Sequence, residues 1–220
     1  EFILLLGKES GPITRYDPVS ESGRVVYTGL SSPASMTVDS TTDNVLVAEA
    51  DKITIVSRSF IETGLGPSKV DGGDGVDRAT FFPIPGAAGL AVDACTGKIY
   101  YSNPAAGTVE VFDRDTGETS VVVSGLSSPG HMLGVYRRDV PCPDSFQLLV
   151  ADSGAGSIAL ITPGQNSLVN WIEAPGVRDL AFLPEGNPFN GQTSIAYGLF
   201  FSLLGNVDMM PVEDGYGPEP

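Results

Sequence analysis

Short apolar segments recur along the chain, separated by turns rich in Gly, Asp, Asn, Ser and Pro. Several segments alternate apolar and polar side chains, which is the pattern of a half-buried β-strand. The connections at residues 93–97 and 115–117 carry the Asp and Gly residues that tight hairpins require. The pattern predicts successive sets of strands. First strands are expected at residues 35–38, 89–93, 131–135 and 179–182, second strands at 44–49, 98–103, 148–152 and 195–201, third strands at 52–56, 108–112, 157–161 and 206–210, and fourth strands at 119–123 and 168–172.

One sequence element occurs twice in nearly the same form. Residues 28–33 read Thr-Gly-Leu-Ser-Ser-Pro, and residues 124–129 read Ser-Gly-Leu-Ser-Ser-Pro. The two copies lie 96 residues apart, which equals two units of 48, and an apolar strand is predicted shortly after each copy. Four-stranded units with a period of roughly 40–50 residues are typical of a β-propeller. The alternative, a β-sandwich, has no reason to repeat this element in register.

We therefore predict an all-β chain, a β-propeller of four-stranded blades with strands for about five blades. The first segment supplies three strands, at residues 2–6, 12–16 and 24–27, and the last segment lacks a fourth strand. Both terminal blades are therefore expected to be incomplete. The predicted blade segments are residues 1–29, 30–70, 83–124, 129–173 and 177–210, followed by an extended acidic tail, rich in Pro and Gly, at residues 211–220.

Three arrangements would complete the terminal blades. The two ends of the chain can complete one another, the chain can be a piece of a larger propeller, or a neighbouring subunit can add the missing strand. The consecutive apolar residues Phe2, Ile3, Leu4, Leu5 and Leu6 are the candidate assembly strand. Such a run suits a strand buried on both faces and is an aggregation hazard at an open edge. A head-to-tail contact through this strand would build a filament if it does not close on itself.

Two stretches of the sequence resemble the NHL-repeat family of β-propellers. Residues 71–83 read Asp-Gly-Gly-Asp-Gly-Val-Asp-Arg-Ala-Thr-Phe-Phe-Pro and lead into Gly-Leu-Ala-Val-Asp at residues 89–93. Residues 149–154, Leu-Val-Ala-Asp-Ser-Gly, followed by Ile158, resemble the second and third strands of the same family. The resemblance covers roughly residues 30–183. It implies the propeller fold, usually with six blades, and says little about function.

Composition excludes some classes of fold, and the net charge excludes some classes of partner. The 220 residues include 27 Gly and 17 Pro, which excludes a helical bundle or a coiled coil because both need long runs free of these residues. With 27 acidic and 12 basic residues the net charge is −15. Such a chain repels phosphate backbones and anionic lipids, so we expect neither nucleic acid nor a membrane as a partner. RNA binding, which is known for some NHL proteins, is disfavoured for the same reason.

An acidic, glycine-rich motif is the candidate metal site. Asp71, Asp74 and Asp77 lie in a Gly-Gly-x-Gly-x-Asp sequence that resembles the Ca²⁺-binding repeat of parallel β-helices, and carboxylates are suitable Ca²⁺ ligands. That site needs stacked copies, whereas this chain has one, so an acidic loop between blades is the alternative. His131 is the only histidine, which makes a three-histidine metal site impossible within the chain and counts against the amidating lyases that share the NHL-type ring.

The alternative functional class is a metal-dependent lactonase or a related hydrolase with carboxylates in the central channel. Related propellers, such as lactone hydrolases, use carboxylates and amides that face this channel. Aspartates that follow a first strand ordinarily close the hairpin turn, however, and the sequence assembles no convergent acid, base and electrophile. The candidate carboxylates are Asp39, Glu49, Asp93, Asp152 and Asp179.

The two cysteines predict a disulfide. Cys95 and Cys142 fall between the first and second strands of adjacent units, and equivalent loops of neighbouring blades lie on one face of a propeller. A disulfide between them would indicate an oxidising compartment. The alternative is two free, partly exposed thiols.

Together these features predict a non-catalytic, extracellular or cell-surface β-propeller. We expect it to act as a structural or protein–protein interaction module whose partners include copies of itself. Apart from the candidate Ca²⁺ site, no cofactor is expected.

Overall fold

The computed structural model describes residues 3–7, 11–63, 79–137, 140–165, 167–183, 197–203, 206–212 and 216–217. The chain divides into two compact units, Glu1–Leu90 and Ala91–Pro220, here called unit one and unit two. In both units the described strands form antiparallel sheets in which consecutive strands are neighbours. None of the described helices has the length and apolar character needed to cross a lipid bilayer.

The described strands of unit one form a three-stranded and a four-stranded sheet. A short helix, α1 (Arg58–Thr63), lies between the last two strands of the second sheet. The first sheet has the order β1 (Ile3–Leu6), β2 (Ile13–Asp17), β3 (Ser22–Tyr27), and the second has the order β4 (Ser35–Asp39), β5 (Asn44–Ala48), β6 (Ile53–Val56), β7 (Ala79–Phe82).

The core of unit one forms where apolar side chains of both sheets meet. Strand β5 is buried from Val45 to Ala48, as expected for a strand covered on both faces. Because side chains alternate along a strand, β1 packs Leu4 and Leu6 against this core and leaves Ile3 and Leu5 about half exposed. The buried cluster consists of Ile13, Val26, Tyr27, Leu30, Val45, Val47, Val56 and Ile61.

The described residues of unit two form three sheets, and the first strand of the first of these sheets begins at the last residue of unit one. The first sheet has the order β8 (Leu90–Val92), β9 (Ile99–Asn103), β10 (Thr108–Phe112), β11 (Thr119–Ser124). The second has four consecutive strands, β12 (Pro129–Arg137), β13 (Phe146–Asp152), β14 (Ser157–Thr162) and β15 (Ser167–Glu173), with a 3-10 turn at Pro163–Gln165 before β15. The third has the order β16 (Asp179–Leu183), β17 (Tyr197–Leu203), β18 (Asn206–Val212).

The prediction of an all-β chain built from four-stranded sheets is confirmed, and the first and last sheets each have three described strands. The predicted blade segment at residues 30–70 ended before the fourth strand of its sheet. The fourth strand of the second sheet is β7, which pairs with β6 from Ile53↔Phe82 to Val56↔Ala79 and lies outside the predicted segment 30–70. The long connection between β6 and β7 made this pairing difficult to predict. Thr80, Phe81 and Phe82 are nevertheless favourable strand residues. Helix α1 was not predicted.

The end of the predicted propeller also differs from the structure. The boundary at residue 211 lies inside β18, which continues to Val212. Further along, the two-residue strand β19 (Tyr216–Gly217) pairs with β12 through Tyr136↔Gly217 and Arg137↔Tyr216. Part of the predicted tail is therefore a fifth strand on the second sheet of unit two. The run Phe2–Leu6 differs as well, since in its described strand Leu4 and Leu6 are partly buried while Ile3 and Leu5 are about half exposed.

Candidate functional site

The first copy of the repeated loop is held by the carboxylate of Glu49. This residue follows β5 and is only 1% exposed. Its Oε2 accepts a hydrogen bond from the backbone N–H of Ser31, and its Oε1 accepts one from the hydroxyl of Thr54. The Nζ of Lys52 lies 4.0 Å from Oε1. Glu49 therefore binds the loop at residues 28–33 to the end of its own sheet.

The second copy of the loop is held by Asp152, which occupies the end of β13 and is 2% exposed. The backbone N–H of Ser127 lies 2.9 Å from Oδ2, and the N–H of Ser128 lies 2.7 Å from Oδ1. The N–H of Ala155 also approaches Oδ1, at 3.4 Å. A buried carboxylate needs hydrogen-bond donors, and in both copies the repeated loop supplies them through its backbone N–H groups.

Two further candidate carboxylates close hairpin turns. Asp39 Oδ1 accepts hydrogen bonds from the N–H and hydroxyl of Thr41, at 3.0 and 2.6 Å. Asp93 Oδ1 accepts from the N–H of Cys95 at 3.0 Å, and Asp93 Oδ2 accepts from the hydroxyl of Thr96 at 2.5 Å. Both aspartates are buried, and their oxygens serve the loop that follows the first strand of a sheet.

His131 and Asp179 lie where β12 approaches β16. The Nδ1 of His131 accepts a hydrogen bond from the backbone N–H of Leu180 at 3.2 Å. Burial lowers the pKa of the imidazole, and the negative charge of Asp179 partly opposes this effect. A neutral imidazole that accepts a backbone hydrogen bond joins two sheets of unit two.

The structure does not bring the candidate carboxylates together as a metal site. Within the described ranges, no group of three or more His, Cys, Asp or Glu side chains could hold a metal ion. The candidate Ca²⁺ ligands Asp71, Asp74 and Asp77 lie outside the described residues, and so does Phe2 of the candidate assembly strand.

The predicted disulfide between Cys95 and Cys142 is present, with Cα atoms 5.7 Å apart. It joins the β8–β9 hairpin to the loop before β13. The hydroxyl of Tyr136 supports the hairpin from β12, since it accepts the N–H of Ala94 at 2.6 Å and donates to Asp93 Oδ1 at 3.2 Å. A covalent and a hydrogen-bonded link therefore hold the hairpin in place.

A pocket of about 420 Å³ lies beside this disulfide in unit two. Two buried rings, Tyr100 and Phe146, line it with centroids 5.1 Å apart. Burial, with a contribution from the Asp93 carboxylate, raises the pKa of Tyr100 to about 12. The remaining lining comes from loop residues: Asp93, Thr96, Lys98, Arg137, Val140, Pro143, Asp144, Thr162, Pro163, Gly164 and Gln165.

Unit one has a smaller pocket, of about 240 Å³, lined by residues of β1, β5 and α1 among others. Its wall includes Leu4, Val45 and Ile61. At its rim, Arg58 forms ion pairs with Asp43 at 2.5 Å and with Glu62 at 2.6 Å. Neither pocket was predicted from the sequence, because their walls combine residues from segments far apart in the chain.

Comparisons with known proteins identify the fold. No protein-family model and no curated protein sequence matches this chain. An auxiliary nutrient binding protein from Bacteroides thetaiotaomicron aligns with a TM-score of 0.65 and 16% identity over 98% of this chain and 53% of its own. A chain of a nidogen/laminin complex aligns with a TM-score of 0.65 and 12% identity over 96% of this chain and 71% of its own.

A third structure, virginiamycin B lyase from Staphylococcus aureus, aligns with a TM-score of 0.59 and 14% identity over 92% of this chain and 59% of its own. The chain spans about half the length of the nutrient binding proteins that it matches. These similarities show that the chain has a β-propeller-type fold.

Proposed function

We propose that this chain is a non-catalytic β-propeller module with NHL-type repeats that acts by binding other proteins. The observation that carries the proposal is the open edge of β1 in unit one. Strand β1 pairs with β2 on one side, and no described strand pairs with its other side. Ile3 and Leu5 are 50% and 48% exposed along this strand.

An apolar open edge favours strand addition. Its free backbone N–H and C=O groups can pair with an extended segment of another protein, and its exposed side chains give that segment apolar surface to cover. Leu4 and Leu6 pack against the core of unit one and fix β1 in its extended conformation. The edge of β1 is therefore already in the conformation that pairing requires. Binding would then require little reordering of the strand.

The partner that we favour is another copy of this chain. The sheet β1-β2-β3 and the sheet β16-β17-β18 each have three described strands, whereas the other sheets have four or five. A strand supplied by a neighbouring copy would extend such a sheet, and repetition of a head-to-tail contact would build a filament. The nidogen/laminin structure is a complex between proteins, which supports the broader interaction role.

We place this function outside the cell or at its surface. The disulfide between Cys95 and Cys142 supports this location because structural disulfides persist in oxidising compartments.

The hydrolase alternative receives no support from the carboxylates. Asp39, Glu49, Asp93 and Asp152 each accept hydrogen bonds from a loop or turn of the scaffold. Oxygens engaged in this way are poorly placed to serve as a base or a nucleophile.

Substitution of Leu5 by Lys tests the proposal. A lysine on an exposed edge strand opposes pairing with another strand, and the half-exposed position tolerates the change. Val19→Lys is the matched control, because Val19 is 92% exposed in the turn between β2 and β3. Size-exclusion chromatography with light scattering over a concentration series should show that the wild type and Val19→Lys associate and that Leu5→Lys remains monomeric.

A wild-type chain that is monomeric at every concentration would remove self-association from the proposal. Cross-linking to partners from the extracellular medium would then test the broader interaction role. Equal capture by the wild type and Leu5→Lys would show that β1 is not the binding edge.

A further inference from the structure

The pocket beside the disulfide in unit two plays no part in the proposed strand addition. Its volume of about 420 Å³ falls in the range of small-molecule sites, roughly 300–1,000 Å³. The rings of Tyr100 and Phe146 give it an apolar wall. The pocket therefore suits a small organic molecule with an apolar body.

The charged side chains that line the pocket are equal in number for the two signs, whereas the whole chain has a large excess of acidic residues. Lys98 and Arg137 contribute two positive charges, and Asp93 and Asp144 contribute two negative charges. The whole chain has 27 acidic and 12 basic residues. Complementary charges select ligands and fix their orientation, so a lining with both signs favours a ligand that carries both signs.

The carboxylate available to a ligand is that of Asp144. Asp93 is buried, and its oxygens already accept hydrogen bonds from Cys95, Thr96 and Tyr136. Asp144 is exposed, and only its backbone N–H has a described hydrogen bond, to the carbonyl of Pro141 at 3.1 Å. An ammonium group on the ligand would therefore lie at Asp144.

The ammonium group of Lys98 has donors for a ligand carboxylate. Lys98 pairs with Asp113 at 3.2 Å, but its ammonium group has three N–H donors, so it can also bind a ligand carboxylate. Thr162 adds a neutral donor, because its Oγ1 accepts a hydrogen bond from Gln147 Nε2 at 2.7 Å and its own hydrogen is left to donate.

The disulfide fixes the segment that carries Lys98 relative to the segment that carries Asp144. Lys98 follows the hairpin that contains Cys95, and Asp144 is two residues after Cys142. A site whose groups are positioned in advance loses less conformational entropy on binding.

We propose that this pocket binds a small zwitterion of amino-acid or dipeptide size. The ligand carboxylate lies at Lys98, its ammonium group lies at Asp144, and its apolar body faces Tyr100 and Phe146. The site is separate from the β1 edge, so it can be tested independently of strand addition.

Calorimetric titration of the full chain with L-phenylalanine and with alanyl-phenylalanine tests this site. We expect at least one of them to bind. Its N-acetylated form, its carboxamide and the form blocked at both ends should each bind at least tenfold more weakly. Lys98→Gln should lose the preference for the free carboxylate, and Asp144→Asn should lose the preference for the free ammonium group. Arg24→Gln and Asp115→Asn, which change exposed charges outside the pocket, serve as matched controls and should bind like the wild type.

Three results would overturn the proposal. The first is the absence of binding by both probes to a folded wild-type chain. The second is equal affinity for the zwitterion and for the form blocked at both ends. The third is wild-type affinity and selectivity in both Lys98→Gln and Asp144→Asn. Far-UV circular dichroism of each variant confirms that an observed loss is not a loss of fold.

Discussion

The two copies of the Gly-Leu-Ser-Ser-Pro loop are held by different carboxylates in the two units. In unit one, Glu49 accepts the N–H of Ser31 and also binds the hydroxyl of Thr54. In unit two, Asp152 accepts the N–H groups of both Ser127 and Ser128. The repeat therefore requires a buried acceptor at the end of the second strand, whereas the length of the acidic side chain can vary.

The units also differ in how their loops are tied together. Unit two has the disulfide between Cys95 and Cys142, and its repeated loop is additionally held by a hydrogen bond from the N–H of Leu126 to the carbonyl of Gly107 at 3.1 Å. Both cysteines of the chain lie in unit two. The corresponding hairpin of unit one instead contains Thr41 and Thr42, whose hydroxyls bind Asp39 at 2.6 Å.

Removal of the disulfide should have the largest effect. The cysteines are 47 residues apart, and closing a loop of this length stabilises by about 4 kcal/mol in the chain-entropy model. Cys95→Ala/Cys142→Ala should therefore lower the free energy of unfolding of unit two and leave unit one nearly unchanged. Urea unfolding followed by hydrogen exchange distinguishes the units, and the reduced wild type should match the variant. An equal loss of protection in both units would contradict this difference.

Gly107→Ala should be the next most damaging change. Gly107 has a φ of 65°, and a Cβ there would lie 2.4 Å from the carbonyl oxygen of Leu126. Backbone strain and this collision together should cost about 3 kcal/mol. Gly125→Ala is the control, because Gly125 has a φ of 92° with nothing within 4 Å of a Cβ, and it should cost about 1–2 kcal/mol. Equal losses in urea unfolding would show that the loop moves away without cost.

Neutral substitutions of Glu49 and Asp152 test the difference between the two loops directly. Asp152→Asn should cost about 2 kcal/mol, because the buried side chain loses its charge and one of its two oxygens, so one of the two loop N–H groups loses its acceptor. Glu49→Gln should cost about 1 kcal/mol, because the Thr54 hydroxyl can turn and accept from the new amide. Amide hydrogen exchange should accelerate at Ser127 or Ser128 in the first variant and at Ser31 in the second. A larger loss for Glu49→Gln would reverse the proposed order.

The smallest effect should be a pH dependence confined to unit two, which contains the only histidine. Burial lowers the pKa of His131 below its value of 6.5 in an unfolded chain, against the opposing charge of Asp179. Below pH 6.5 the unfolded state therefore binds more protons than the folded state, and the stability of unit two falls as the pH falls. Urea unfolding at pH 7.5 and at lower values should show this fall in the wild type. His131→Gln should lose this part of the pH dependence, and an unchanged slope would contradict the assignment.

Much of the fold, but little of the candidate site, could be predicted from the sequence. Apolar alternation and turn residues predicted strands such as β9 and β10, because both signals are local. The disulfide was predicted because both cysteines lie in equivalent loops of adjacent predicted blades. The pocket was not predicted, since it joins Lys98, Asp144 and Thr162 from three separate segments. The periodic pattern of apolar and polar residues carries no information about contacts between distant loops.

The sequence by itself determined that the chain forms short antiparallel strands in repeated sets, since hairpin pairing depends on neighbouring residues and on the turn between them. Only the tertiary structure decided which distant groups meet. It paired β7 with β6 across a long connection, placed Tyr216–Gly217 beside β12, and brought Ser127 and Ser128 to Asp152. The physical reason is that a strand edge needs a neighbouring strand and a buried carboxylate needs hydrogen-bond donors, and neither partner need be near it in the sequence.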